Sequence, residues 1–258
     1  MNDVTRYVRF SREGSDAYGR LEGDSIIELE GNVFAVPRET GRRHALPDVT
    51  LLTPSRPSKV IAVGLNYQSH LQGRPRPEYP GLFAKFPSTL VAHGQPIVMP
   101  PDASELHYEG ELVVVIGRRA RNVSAAQARA HIFGVTVGND VSERHWQRHD
   151  LQWVRAKGSD TFGPVGPAIA AGLDYGDLAI QTRLNGELRQ SARTSDLIFS
   201  VDVLVSFISR YLTLEPGDLI FTGTPGSTQP MRAGDVVEVE IEGVGTLCNP
   251  VTLEKTGE

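Results

Sequence analysis

The stretch HYEGELVVVIG, residues 107–117, sets two acids at the mouth of a strongly apolar run. Glu109 and Glu111 are two residues apart, so in a strand their side chains share one face. Carboxylates that approach each other repel, and burying them is costly without a compensating cation. Read alone, the pair fits a solvated strand face as readily as half of a metal site. The run LVVVIG has the length of a strand, and other apolar runs along the chain are of similar size.

Working outward, 258 residues are enough chain for one large domain, or a main domain with a small addition. The 26 glycines and 17 prolines point to a turn-rich, β-rich architecture. A formal net charge of −5 argues against a nucleic-acid-binding face. No apolar run reaches membrane-spanning length. The opening MNDVTRYVRFSREG has no apolar core of signal-peptide type. With a single cysteine, Cys248, read as a small buried hydrophobe, the expectation is a cytoplasmic protein.

Residues 1–55 read as a small β-rich lead-in module, with strands at RYVRFS, AYGRLE, SIIELE and NVFAVP. The Pro- and Ser-rich PDVTLLTPSRPS marks a boundary, and residues 56–258 form the main domain. There, KVIAVGLNY is a buried strand ending in a turn, and GRPRPEYPG (73–81) is a loop of the kind that carries function. Ser124 and Gln127 form a capping box for a short helix, and VSERHWQRHD is a second helical segment. Asn185-Gly186 signals a hairpin. A helix capped by Ser200 presents Val203, Leu204, Phe207, Ile208 and Leu212 on one face. DVVEVEIEGVGTL alternates as a hairpin. Strands outnumber helices without regular βαβ alternation, so the fold class is α+β, mostly β.

Common catalytic motifs are absent: no G-x-S-x-G, no H-E-x-x-H, no P-loop and no G-x-G-x-x-G after a strand. The positive signal is acidic. Asp140 ends another apolar strand, IFGVTVGND, and could converge with Glu109 and Glu111. Three oxygen ligands suit Mg2+ or Mn2+ and leave positions for water and a chelating substrate. Arg144 and Gln147 follow Asp140 on one helix face, Lys157 lies in RAKGSDTFGP, and His70 follows the KVIAVG strand. Each also has an ordinary surface or loop reading. His145 and His149 have i,i+4 spacing, but a solvated helix face suits them better than a metal.

At this point the motifs carry a resemblance. GLNYQSHL, FAKFPST, HYEGELVVVIG, NDVSERHWQ, AKGSDTFGPVGP, LNGELRQ, TSDLIFSVDVLVSFIS and LEPGDLIFTGTP resemble, in order, the fumarylacetoacetate hydrolase family and its acylpyruvase-like and isomerase-like members. The likeness runs from about residue 55 to the C-terminus. It implies a mixed β-roll catalytic domain, usually a homodimer, with one Mg2+ or Mn2+. Carried over by position, Glu109, Glu111 and Asp140 match metal ligands, and Lys157 matches the active-site lysine. Arg144 and Gln147 match substrate-contacting positions, with Tyr67 and Lys85 grouped beside them. Thr224 matches a residue that holds the substrate carboxylate, and His70 the lid histidine that activates water. The implied substrate is a small 2-oxo or β-diketo acid. The leading expectation is hydrolytic C–C cleavage of an acylpyruvate or fumarylpyruvate through a metal-bound enolate, within aromatic catabolism. The alternative is isomerisation, tautomerisation or decarboxylation of a 2-hydroxy-dienedioate or an oxaloacetate-like acid. One departure bears on the choice: Gly73 stands where the family hydrolases place a glutamate that pairs with the histidine, and Glu78, further along the same loop, is a candidate to replace it. Three carboxylates against a divalent cation leave an expected excess of about one negative charge.

Overall fold

The computed structural model describes residues 4–255. The first three residues, assigned above to the lead-in module, and the last three, assigned to the main domain, lie outside the described residues. Strands prevail, as the composition predicts. Four form the N-terminal part: β1 (Thr5–Arg12), β2 (Ser15–Glu22), β3 (Ser25–Glu30) and β4 (Arg38–Ala45). Then come β5 (Val60–Gly64), β6 (Gly81–Lys85), β7 (Ile97–Met99), β8 (Gly110–Ile116), β9 (Ile132–Asn139), β10 (Gly163–Ala171), β11 (Ala179–Leu184) and β12 (Glu187–Arg193). The last three are β13 (Leu219–Phe221), β14 (Val236–Ile241) and β15 (Gly245–Leu253). Four short helices interrupt them: α1 (Ala125–Ala128), α2 (Arg144–His149), α3 (Val154–Gly158) and α4 (Val201–Tyr211).

The principal sheet has 12 strands, ten of them in the order β4-β3-β2-β1-β10-β9-β8-β13-β5-β6. Two short strands, Thr50–Leu51 and Leu90–Val91, join β1 and β10 from the side. Pairing is antiparallel except between β13 and β5 within that order. A second sheet of five strands runs β12-β11-β14-β15-β7, with β15 and β7 parallel. The architecture is the mixed, strand-dominated α+β class expected. The lead-in strands are not a separate sheet, because β1 pairs with β10 and extends the main one.

β8 explains the apolar run. Every residue of it is buried, because both faces are covered. Leu112, Val114 and Ile116 join a core with α4 and the second sheet. Val113 and Val115 pack with Val60, Ala62, Leu219 and Phe221 on the other side. The alternation puts Glu111 on the Val113 side and Gly110 on the opposite one. A Cβ on Gly110 would stand 2.1 Å from Thr182 Oγ1, so no side chain fits there.

Three expectations need correction. NVFAVP is not a strand; residues 32–37 form turns, and the strand is the following RETGRRHA of β4. β4 is a sheet edge, where charged residues discourage pairing with other chains, so it carries no apolar alternation. On α4, Val203 and Leu212 are each 39% exposed, while Val201, Leu204, Val205 and Ile208 are buried. Two i, i+3, i+4 stripes share Leu204 and Ile208, and the sheet below takes the one through Val201 and Val205. Cys248 is half-buried rather than fully buried.

Candidate metal centre and active site

The acids converge at the paired ends of β8 and β9. Gly110 pairs with Asn139 in this antiparallel ladder, so the start of one strand meets the end of the other. Asp140 N–H donates to the Glu109 carbonyl at 2.8 Å, and Glu109 N–H to Asn139 Oδ1 at 2.8 Å. Glu109, Glu111 and Asp140 are all buried, and each offers an oxygen within 4.8 Å of the others. Glu111 Oε2 accepts the Gly223 N–H at 2.7 Å. Gly223 holds φ +104, and a Cβ there would approach Asn66 Cβ to 2.8 Å. That tight turn, in the TGTP stretch, aims a backbone donor at the acid.

Two of the cations around these acids, Lys85 and Lys157, are as buried as the acids, and Arg144 is half-buried. Lys157, from α3, donates to Glu109 Oε2 at 2.8 Å and to Asp140 Oδ2 at 2.7 Å. Lys85, at the end of β6, donates to Asp140 Oδ1 at 2.7 Å and also to the Lys157 carbonyl. Arg144 pairs with Glu109 and donates to Gln147 Oε1 at 2.8 Å. These groups shift one another's titration. Burial works to raise Glu109, but Arg144 and Lys157 outweigh it and hold the carboxyl below its ordinary range. Glu111 has no such cation. Burial pushes it well above the ordinary carboxylate range, and the charges of Asp140 and Glu109 add to the shift. Burial works to lower Lys157, yet Asp140 and Glu109 raise it overall. Lys85 is lowered by burial, with Asp140 opposing.

A hard divalent cation fits this donor set. The ligand atoms are carboxylate oxygens, and Glu111 is the one acid that lacks a cationic partner. The electrostatic balance differs from the expected one. Three carboxylates face three fixed cations, so a divalent ion would leave two positive charges rather than one negative.

A cavity of about 420 Å³ opens on the acids. His70, Glu109, Glu111, Asp140, Arg144, Gln147, Lys157 and Thr224 all line it. Two grouped residues do not. Lys85 is 2% exposed, donates to Asp140 and does not line the cavity. Tyr67 is fully buried, and its hydroxyl has no hydrogen-bond partner. Burial, with the Glu111 charge beside it, raises that phenol above its ordinary value. Thr224 lines the cavity, but its hydroxyl donates to the Gly110 carbonyl at 2.9 Å and accepts from Gln190.

His70 ends a short 3-10 turn, Gln68–His70. Its Nδ1 lies 2.6 Å from the Gly226 carbonyl oxygen, so Nδ1 carries a hydrogen and donates it. No carboxylate pairs with it among the described residues; neither Gly73 nor Glu78 supplies one. Asn66 holds this loop by bonds to Phe199 and Thr222. His145 and His149 are exposed on α2 with their rings tilted at 33°, and neither lines the cavity.

Sequence reasoning passed over several residues here. His107 lines the cavity, contacts Thr228 Oγ1 at 2.9 Å, and is pushed down to about 4 by burial and by Arg144. Its position in HYEGEL, beside the acids, was the available signal. Asp218, in PGDLIF, is fully buried and gathers Ser58, Lys59 and Glu215. Part of that motif is therefore structural.

A model of the family described as Fumarylacetoacetate (FAA) hydrolase C-terminal matches residues 59–252, and one described as Rv2993c-like, N-terminal, matches residues 5–54. The chain belongs to the fumarylacetoacetate hydrolase family. Among solved structures of the family's fold, a 2-hydroxyhepta-2,4-diene-1,7-dioate isomerase from Mycobacterium marinum is 44% identical, with a TM-score of 0.92 over 98% of this chain and 100% of that one. An oxaloacetate tautomerase, FAHD2B, mitochondrial, from Bos taurus is 42% identical over 79% of this chain and 70% of its own. A maleylpyruvate hydrolase from Sphingobium, solved with manganese(II) and pyruvate, is 29% identical, with a TM-score of 0.82 over 97% of this chain and 100% of that one. Relatives within the family thus span isomerase, tautomerase and hydrolase, and one holds a divalent metal. Among the described residues, no helix is long and apolar enough to cross a membrane.

Proposed function

We propose that the protein is a divalent-cation-dependent tautomerase or isomerase of small 2-oxo acids, with Mg2+ or Mn2+ held by Glu109, Glu111 and Asp140. When bound, the cation would act as a Lewis acid on the 2-oxo oxygen and the adjacent carboxylate. His70 carries the choice of reaction. Its Nδ1–H is given to the Gly226 carbonyl, which leaves Nε2 as the proton acceptor at the cavity, and among the described residues no carboxylate hydrogen-bonds the ring. Tautomerisation asks only for such a shuttle. Nε2 takes a proton from carbon 3, the C–H electron pair forms the C2–C3 double bond, and the carbonyl pair moves to oxygen. His70 returns the proton to that oxygen; from a 2-hydroxy-diene it takes the hydroxyl proton instead, the oxygen pair forms the C=O bond, and the proton is delivered to carbon 5. Nothing is consumed.

Lys157 uses two of its three N–H groups on Glu109 and Asp140, and the third is left for the substrate oxygen where negative charge grows. Arg144 and Gln147 form one bonded unit at the cavity wall that orients the acid. C–C hydrolysis is the second reading. The likeness to a maleylpyruvate hydrolase favours it, and the same Nε2 could activate water.

The test follows products. Ketonisation of enol-oxaloacetate and isomerisation of a 2-hydroxy-dienedioate are measured with Mg2+, beside acylpyruvate and fumarylpyruvate cleavage and oxaloacetate decarboxylation. Tautomer exchange above the spontaneous rate is expected, lost on chelation and reduced roughly 10²–10⁴-fold in His70→Ala. Turnover confined to cleavage or decarboxylation products would sink this reading.

A further inference from the structure

We propose that Arg74 reads the far carboxylate of the substrate and so restricts the protein to 2-oxo acids that carry a second acid group. The inference deepens the functional reading above and rests on it. Three guanidinium groups line the cavity: Arg74, Arg144 and Arg148. Two are committed. Arg144 pairs with Glu109, and Arg148 is held by both oxygens of Glu105 at 3.0 and 2.7 Å. Arg74 alone has no side-chain hydrogen bond or ion pair among the described residues. A guanidinium offers a planar fork of donors that matches a carboxylate.

Its placement is built into the backbone. Gln72 and Gly73 both hold left-handed conformations, φ 50 and φ 85, and Arg74 N–H closes the turn on the Leu71 carbonyl at 3.0 Å. Leu71 is buried and anchors the turn. The chain therefore doubles back at Gly73 and delivers residue 74 to the cavity mouth. The φ of 85 at Gly73, where a lid glutamate is expected, is one that glycine adopts more readily than other residues. The segment is pinned on both sides. Before it, His70 bonds the Gly226 carbonyl, and Ser69 Oγ accepts the Gly226 N–H at 3.0 Å. After it, Arg76 donates to the Ile198 carbonyl at 3.0 Å, and Tyr79 stacks on Phe207 with ring planes 11° apart.

Charge completes the case. With a divalent ion in place, the fixed groups leave two positive charges, which a dicarboxylate neutralises. Proton removal from carbon 3 passes that proton to His70 and leaves the net charge of the site unchanged, so Arg74 acts on the bound diacid rather than on the enolate.

The experiment compares 2-oxoglutarate with 2-oxopentanoate, which differ only in the terminal carboxylate, by calorimetric titration of the full chain with Mn2+. Wild type is expected to favour 2-oxoglutarate by about tenfold or more. Arg74→Met should erase that preference while leaving 2-oxopentanoate affinity unchanged, and Arg74→Lys should keep part of it. A preference that survives in Arg74→Met overturns the proposal. So does a wild type that binds both acids equally, or an Arg74→Met variant that loses both equally, and these leave the tautomerase reading standing. A wild type that binds neither acid would overturn that reading and this one together.

Discussion

Glu111 is the residue on which metal and proton compete. Glu109 and Asp140 each have fixed cations, whereas Glu111 has one backbone N–H and two neighbouring negative charges. Its folded-state pKa is raised well above the unfolded value near 4.5. The metal-free fold thus holds a proton that the unfolded chain releases, and this contribution to stability is lost as pH rises through the raised value. A divalent cation reverses the sign. It binds the ionised carboxylate, ejects the proton, and is favoured as pH rises. Mg2+ or Mn2+ affinity should therefore increase with pH from the carboxylate range towards neutrality, with net proton release, and the melting-temperature gain from metal should grow in parallel. Titration calorimetry in buffers of different ionisation enthalpy measures both. Metal affinity flat across that range, with no proton released, would remove Glu111 from the ligand set. The acids themselves were legible in the sequence because chemistry and spacing coincide in HYEGEL. Their cationic cage was not. Lys85 lies 55 residues from Asp140 and meets it only because the sheet brings β6 and β9 to one site.

At the scale of elements, turns set the active-site geometry. Gly223 follows β13, reverses the chain at φ +104, and gives its N–H to Glu111. A methyl group there meets Asn66, whose amide carries the loop that ends in His70. Gly223→Ala should cost about 1–3 kcal/mol of stability and weaken metal binding together, because one turn positions a ligand and braces the base. Chemical denaturation with and without Mn2+ would show it, and an unchanged affinity would separate the turn from the site. Elements with strong periodicity were readable: the Asn185-Gly186 hairpin, the α1 capping box and the β14–β15 hairpin all stand where the pattern puts them. Where two patterns overlap, the sequence is ambiguous. α4 has apolar residues on two adjoining stripes, and only the core beneath it selects Val201 and Val205 over Val203 and Leu212. β4 was missed because an edge strand is stabilised by backbone pairing and charge, which leave no hydrophobic period.

Across the whole molecule, the N-terminal strands and the catalytic strands share one sheet, and this continuity decides how far the lead-in module can be separated from the site. β1 pairs with β10 through Tyr7 and Ile169, β10 pairs with β9, and β9 ends at Asn139 beside Asp140. Side chains cross the same seam. Val8, Phe10 and Ile26 form a core with Ala168, and Phe34 and Tyr7 each lie 5.1 Å from the Phe133 ring. Arg6 donates to the Gly243 carbonyl at 2.6 Å, and Ser55 Oγ to the Gly217 carbonyl at 2.6 Å. A chain reduced to residues 56–258 keeps every acid and base of the site but loses these contacts and leaves β10 as an open edge. Burial of each large apolar side chain contributes about 1.5–3 kcal/mol, so loss of several is comparable to the net stability of a domain. The shortened chain should melt well below the full one and self-associate through β10, with turnover falling as the β9 end of the site loosens. Thermal melts and size-exclusion chromatography of the two chains test this. A monodisperse shortened chain with the same melting temperature would mean that the sheet is complete without its first four strands.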